Sequence, residues 1–130
     1  MCHVLVVDKD PVQHFLAEYL SRQTLGIGSL KCFLNPAEAL DYISERSADP
    51  LSLPDVILLD MDMPLIDGPG FLNIFRQITK SSMKKIAVFV ISSSVNPYHK
   101  SLVEQYSFVK GFYSKPLTKT LLEELVSVDH

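Results

Sequence analysis

Three short, uninterrupted apolar runs constrain the fold more than any other feature of this sequence. They are Val4–Val7, Val56–Leu59 and Ala87–Ile91, and each is followed directly by a charged or turn-forming residue. Strands that are apolar throughout are typical of a parallel sheet that helices cover on both faces. Two runs interrupted by polar residues, 30–33 and 108–113, suit the edges of such a sheet.

Helical segments separate these runs. Asp10-Pro11, Asn35-Pro36 and Asn96-Pro97 each place an N-cap residue before a proline at the first helical position. Two further helices are predicted near 71–78 and 119–128. The apolar residues after Asp10 keep helical spacing and predict the face that covers the sheet; they are Val12, Phe15, Leu16, Tyr19 and Leu20.

The alternation of strands and helices predicts an α/β fold, a flavodoxin-like (βα)5 domain with a five-stranded parallel sheet. We assign the strand order 2-1-3-4-5, which puts the three apolar runs in the centre. In such sheets ligands bind beyond the carboxyl ends of the strands, where the winding direction reverses. Asp8 and Asp60 end the first and third strands, so we expect their carboxylates to meet there.

Length and charge limit the other possibilities. The 130 residues suit one domain, 1–130, with no output domain attached. A net charge of −3 argues against a nucleic-acid partner. No apolar run reaches membrane-spanning length, and Cys2 and Cys32 form no metal or redox spacing, so a cytoplasmic protein is expected.

Two more polar residues follow the remaining strands on the same edge of the sheet. Ser92 ends the fourth strand and Lys115 follows the fifth. Converging carboxylates favour Mg²⁺, which takes oxygen ligands and bridges protein to phosphate. An aspartate nucleophile with a divalent cation, a hydroxyl and a lysine is a set of groups suited to phosphoryl transfer.

The sequence resembles the receiver domain of the two-component response-regulator family over nearly its whole length. The resemblance depends on VLVVD at 4–8, PDVILLDMDMPLIDG at 54–68, Ser92 and GFYSKPLT at 111–118. None of these motifs is decisive alone, but in this order and spacing they are specific together.

The resemblance implies a phosphoacceptor and a Mg²⁺ pocket. Asp60 would accept the phosphoryl group, and Asp8 would be an acid of the metal pocket. The backbone carbonyl of Asp62 would be a further ligand. Asp10 is an additional candidate ligand, although its position favours a helix cap.

The resemblance also implies a switch and a set of structural residues. Ser92 would turn its hydroxyl toward the phosphoryl group, and Lys115 would pair with the acceptor and its phosphate. Phe112 occupies the position of the switch aromatic but lacks the hydroxyl of a tyrosine. The residues expected to shape the backbone are Pro64 and Gly68, after the acceptor, and Pro116, after a cis peptide bond.

The expected partners follow from the same resemblance. A sensor histidine kinase or a histidine phosphotransfer protein would supply the phosphoryl group, and an unidentified protein would receive the output. Dimerisation through the output face, around the predicted fifth strand and the helix beginning near Asn96-Pro97, is a further expectation. A receiver of this kind is not a turnover enzyme.

Lys9 departs from the family pattern, which has a second acid that binds Mg²⁺ at this position. A protonated lysine cannot ligate a cation, and counting Lys9 with Asp8, Asp60 and Lys115 gives a pocket of zero net charge. Three hypotheses follow. Lys9 points away and Asp62 or Asp10 substitutes as ligand, or Lys9 enters the pocket as a built-in cation, or Lys9 excludes the metal.

The third hypothesis makes the domain a pseudo-receiver that signals by binding alone. A second alternative is a small haloacid-dehalogenase-like phosphatase, because Asp60-Met61-Asp62 has the DxD form of that class. There the motif usually ends the first strand, whereas here it is predicted to end the third. No acidic pair follows Lys115 on a further strand, which also argues against that class.

Overall fold

The computed structural model describes residues 1–62, 67–80, 84–93, 101 and 104–127. All five strands of the sheet are parallel, and their order, numbered along the chain, is 2-1-3-4-5, so the predicted topology is confirmed. The strands are β1 (Cys2–Val7), β2 (Ile27–Phe33), β3 (Val56–Asp60), β4 (Ala87–Ser92) and β5 (Val109–Ser114).

Four α-helices lie entirely within the described part of the chain. They are α1 (Pro11–Arg22), α2 (Pro36–Glu45), α3 (Gly68–Thr79) and α4 (Lys119–Ser127), with a short 3₁₀ helix at Pro50–Ser52. No helix among the described residues is long and apolar enough to cross a lipid bilayer.

The helix caps explain where α1 and α2 begin. The Asp10 carboxylate accepts a hydrogen bond from the Val12 N–H at 2.9 Å, and the Asn35 side chain accepts one from Ala37 N–H at 2.8 Å. A proline follows each cap at a position where no N–H is needed. The third predicted cap, Asn96-Pro97, lies outside the described residues.

The sheet has a core on each face, which accounts for the uninterrupted apolar runs. Alternate residues such as Leu5 and Ile57 pack with α2 and α3, whereas Val6 and Leu58 pack with α1 and α4. Every residue of β3 and β4 is buried. Since both faces are covered, no position in these strands tolerates a polar side chain until the carboxyl edge is reached.

The predicted apolar face of α1 is partly wrong. Val12, Phe15 and Tyr19 are 68%, 79% and 56% exposed, while Ala17 is fully buried and Leu16 and Leu20 pack beside it. The exposed set lies about 100° around the helix from the buried one. Both sets keep helical spacing, so periodicity alone could not tell the buried face from the exposed one. The small Ala17 side chain lets α1 pack closely against the sheet on the face that is buried.

An ion pair secures the amino edge of the sheet, opposite the predicted site. Lys84 Nζ lies 3.0 Å from Asp55 Oδ1 and donates to the Leu53 carbonyl at 2.8 Å. Asp55 Oδ2 accepts a hydrogen bond from the His3 N–H at 2.8 Å. Burial alone would raise the pKa of Asp55, but the bonds from His3 and Lys84 hold it below the ordinary value of 3.8.

Replacing Lys84 with methionine should lower the free energy of unfolding by about 2 kcal/mol near neutral pH, because Asp55 loses its partner. Since the pKa of Asp55 is lower in the folded protein than in the unfolded chain, its contribution is complete above the ordinary pKa. It is lost as the pH falls through the folded value. Urea unfolding of wild type and Lys84→Met should therefore converge in strong acid.

The exposed neighbour Lys85 provides the matched control. Lys85→Met should change the free energy of unfolding by less than about 0.5 kcal/mol. Equal losses in the two variants would show that the amino-edge ion pair does not stabilise the fold.

Candidate functional site

The carboxyl edge of the sheet brings four polar residues together. Asp60 and Ser92 end β3 and β4, and Asp8 and Lys115 directly follow β1 and β5. The strands end at nearly the same level, because Val7 pairs with Leu59, and Asp60 with Ile91. Parallel strands whose ends are level present their last side chains at one place.

A single ammonium group lies between two buried carboxylates. Lys115 Nζ is 3.1 Å from Asp8 Oδ2 and 3.3 Å from Asp60 Oδ2. Both aspartates are fully buried, and the Lys115 side chain is only 14% exposed. Two carboxylates and one ammonium leave this cluster with a formal charge of −1.

Burial and mutual repulsion make the Asp60 carboxylate costly to ionise. Burial raises the pKa of Asp60, and the neighbouring Asp8 carboxylate raises it further, against the effects of the Asp62 N–H and Lys115. Burial alone would lower the pKa of Lys115, but Asp8 and Asp60 together raise it above its ordinary value. The lysine therefore stays charged, and it favours the ionised form of Asp60 against the effects of burial and of Asp8.

The remaining oxygen of each carboxylate is fixed by the backbone two residues later. Asp8 Oδ1 accepts from the Asp10 N–H at 2.9 Å, and Asp60 Oδ1 accepts from the Asp62 N–H at 3.0 Å. These turns are the local preference of aspartate at a strand end. They direct both Oδ2 atoms toward Lys115.

His14 contributes to the site, although no functional role was predicted for it from the sequence. Its Nε2 donates to the carbonyl oxygen of Asp8 at 2.7 Å, and Asp8 N–H donates to the Phe33 carbonyl at 3.0 Å. These bonds fix the backbone that carries the Asp8 carboxylate. The sequence signal that could have predicted this contact is the position of His14 in the first turn of α1, directly after the strand end that carries Asp8.

Of the predicted switch residues, Ser92 lies next to the cluster, and Phe112 lies in the core beside β4. Ser92 is fully buried, and its carbonyl accepts a hydrogen bond from the Lys115 N–H at 2.8 Å. The Lys115–Pro116 peptide bond is cis, as the resemblance implied. Phe112 is half-buried, pairs in register with Val90, and packs against the core on the α2 and α3 side.

Asp62 makes a contact that the sequence did not predict. Its Oδ2 accepts hydrogen bonds from Ser92 Oγ at 3.1 Å and from Ser93 Oγ at 3.2 Å. The expectations for Asp62 were that its backbone carbonyl binds Mg²⁺ and that the residue substitutes for the ligand missing at position 9, not that its carboxylate binds these two serines. The carboxylate therefore links the ends of β3 and β4.

Gly68 is required by close packing against Met61, the residue after Asp60. A Cβ atom here would lie 2.7 Å from Met61 Cε and 3.1 Å from Met61 Cα, and Met61 is itself buried. The Gly68 N–H also points to the Met61 carbonyl at 3.4 Å. Pro64, the other residue expected to shape this loop, lies outside the described residues.

Lys9 is not part of the ion cluster. It is exposed and forms no ion pair with any residue that the structure describes. The predicted net charge of zero for the pocket included Lys9. Without Lys9 the formal charge of the cluster is −1. The Asp10 carboxylate is engaged as the cap of α1.

The acids at this edge suit a hard divalent cation. Asp8 Oδ2 and Asp60 Oδ2 are buried, and within the described ranges they contact no polar partner except Lys115. Carboxylate oxygens are ligands that Mg²⁺ prefers. No group of three or more acidic, histidine or cysteine side chains in the described chain forms a metal cluster, so any cation held here needs backbone or water oxygens as well.

Comparison with known families identifies the domain. The family model described as the response regulator receiver domain matches residues 4–127. The chain belongs to this family. Receiver domains are signalling domains of two-component systems and not classical enzymes.

Solved structures share the fold of this receiver domain over most of its length. A two-component response regulator from Cytophaga hutchinsonii is 28% identical with a TM-score of 0.86, covering 95% of this chain and 92% of the other. The receiver domain of the histidine kinase CKI1 from Arabidopsis thaliana, complexed with Mg²⁺, is 21% identical with a TM-score of 0.79, covering 95% and 91%. A comparison with curated protein sequences finds no significant match.

Replacing Lys115 with methionine should destabilise the metal-free receiver domain by about 2 kcal/mol at neutral pH, because two buried carboxylates lose their shared counter-charge. Adding Asp60→Asn should restore most of the loss. Urea unfolding of the single and double variants measures both effects.

Lys119→Met is the control, since Lys119 is exposed near the same end of the molecule. It should shift the free energy of unfolding by less than about 0.5 kcal/mol. A Lys115→Met variant as stable as this control would contradict the account of the ion cluster.

Proposed function

We propose that Asp60 accepts a phosphoryl group from a phosphohistidine of a sensor kinase or histidine phosphotransfer protein. The observation that carries this proposal is the Lys115 ammonium 3.3 Å from a fully buried Asp60 carboxylate, with the buried Ser92 hydroxyl at the next strand end. An Asp60 oxygen forms the new bond to phosphorus, the phosphorus–nitrogen bond breaks, and the imidazole leaves. Lys115 stabilises the charge on the phosphoryl oxygens.

The proposed cofactor is Mg²⁺, held by the carboxylates of Asp8 and Asp60 and the backbone carbonyl of Asp62. When bound, the cation supplies charge neutralisation at the phosphoryl oxygens. The two buried Oδ2 atoms support this assignment. The CKI1 receiver domain, which shares the fold, is described as complexed with Mg²⁺.

Phosphorylation would act by shifting an equilibrium between two conformations. The phosphoryl group favours a state in which Ser92 donates to it, and the half-buried Phe112 on the adjoining strand changes its packing. The surface around β5 would then differ between the two states. Output passes through a protein partner that recognises one of them.

The exposure of Lys9 supports the hypothesis that it points away from the site. A cation in solvent is screened, so it weakens Mg²⁺ binding less than a buried one would. The pseudo-receiver remains the second candidate because an acid is still missing at position 9. The phosphatase alternative is not favoured, since the Asp62 carboxylate that would act as general acid is engaged by Ser92 and Ser93.

Incubation with acetyl phosphate and Mg²⁺ should add the mass of one phosphoryl group to the intact wild-type protein, as measured by mass spectrometry. Asp60→Asn should remain unmodified, because the amide is not a nucleophile. Phosphoryl transfer in the absence of the divalent cation would point instead to a resident cation. A wild type that stays unmodified under all conditions would support the pseudo-receiver.

Two substitutions at position 9 separate charge from ligation. Lys9→Asp should tighten Mg²⁺ binding about tenfold or more, because it adds a carboxylate and removes a positive charge. Lys9→Met should change the affinity less than about threefold, since the exposed ammonium is screened. Calorimetric titration with Mg²⁺ gives both values, and a large gain in Lys9→Met would show that the ammonium excludes the metal.

A further inference from the structure

The Asp62 carboxylate holds both hydroxyl groups at the end of β4. Ser92 Oγ and Ser93 Oγ donate to the same atom, Asp62 Oδ2, at 3.1 and 3.2 Å. Ser92 is fully buried and Asp62 is partly buried. Hydrogen bonds to an ionised acceptor in a partly desolvated setting are stronger than bonds between neutral groups.

The same residue lies directly beside the acceptor. The Asp62 N–H donates to Asp60 Oδ1 at 3.0 Å, so its backbone position is tied to the carboxylate that the phosphoryl group would modify. The side chain of Asp62 points from there to Ser92. Asp62 therefore connects the acceptor to the hydroxyl that has to respond to it.

One hydroxyl proton cannot serve two acceptors. Ser92 has a single O–H, which it donates to Asp62 in this structure and would need to donate to a phosphoryl oxygen on Asp60. We propose that the Asp62 carboxylate is a latch that holds the Ser92 hydroxyl away from Asp60 and so opposes the phosphoryl-bound conformation. This inference rests on the proposed phosphorylation of Asp60.

The phosphoryl group itself favours release of the latch. It carries negative charge next to the Asp62 carboxylate, and like charges at short range repel. The energy of the Asp62–Ser92 contact therefore determines how strongly the unmodified domain favours its resting state, and Asp62 is a positioning residue acting through Ser92.

The test uses beryllium fluoride with Mg²⁺ as a stable phosphoryl analogue, followed by NMR of the full chain. Asp62→Ala should lower the half-saturating beryllium fluoride concentration about tenfold, and Asp62→Asn should lower it less, because an amide oxygen still accepts hydrogen bonds. Asp67→Asn is the control for charge removal after β3, since Asp67 caps α3 through Gly70 and asparagine caps equally well. This control should match wild type.

A double-mutant cycle separates a latch from simple charge repulsion. In a Ser92→Ala background, the gain from Asp62→Ala should disappear, because no hydroxyl remains to be released. A gain of the same size with and without Ser92 would overturn the proposal and assign the effect to repulsion between Asp62 and the bound anion.

A measurement without metal or analogue distinguishes failure of the latch from failure of the proposed function. NMR coupling constants should show one Ser92 χ1 rotamer in wild type and rotamer averaging in Asp62→Ala. An unchanged rotamer distribution would refute the latch. Absence of beryllium fluoride binding in every variant would contradict the proposed function, while the rotamer comparison would still decide the latch.

Discussion

The Lys115 ammonium between the carboxylates of Asp8 and Asp60 is the interaction on which the carboxyl edge of the sheet depends. Three strands must end at one level to bring these groups within 3.3 Å, and the backbone turns after both aspartates orient them. Without the lysine, two buried negative charges would face each other. The strand order, the register and the turns after the two aspartates together place both carboxylates beside one shared counter-charge, the Lys115 ammonium.

The sequence was sufficient to predict the sheet because burial on both faces leaves a strong pattern. Val4–Val7, Val56–Leu59 and Ala87–Ile91 lie in the three central strands, and the polar residues after them mark the edge where the site forms. Caps at Asp10 and Asn35 were also predictable, since an N-cap before proline is a local signal.

Other features depended on information that periodicity does not contain. The buried face of α1 was decided by close approach at Ala17, and the more exposed apolar residues have the same helical spacing. The contacts of Asp62 and the exposure of Lys9 depend on side-chain rotamers beside a charged cluster. These rotamers depend on which charged and hydrogen-bonding groups are nearby in the folded protein. They therefore leave no repeating pattern in the sequence.

Acidic residues at the amino and carboxyl edges of the sheet have pKa values shifted in opposite directions. Asp55, at the amino edge, has a lowered pKa, so its ionisation favours folding, whereas the raised pKa of Asp60 means that its ionisation opposes folding. Electrostatic strain is thus concentrated where chemistry is expected, and the opposite edge helps to offset it. The contacts of Asp55 with His3 and Lys84 lie at the opposite ends of the strands from Lys9, so a substitution at position 9 leaves them unchanged.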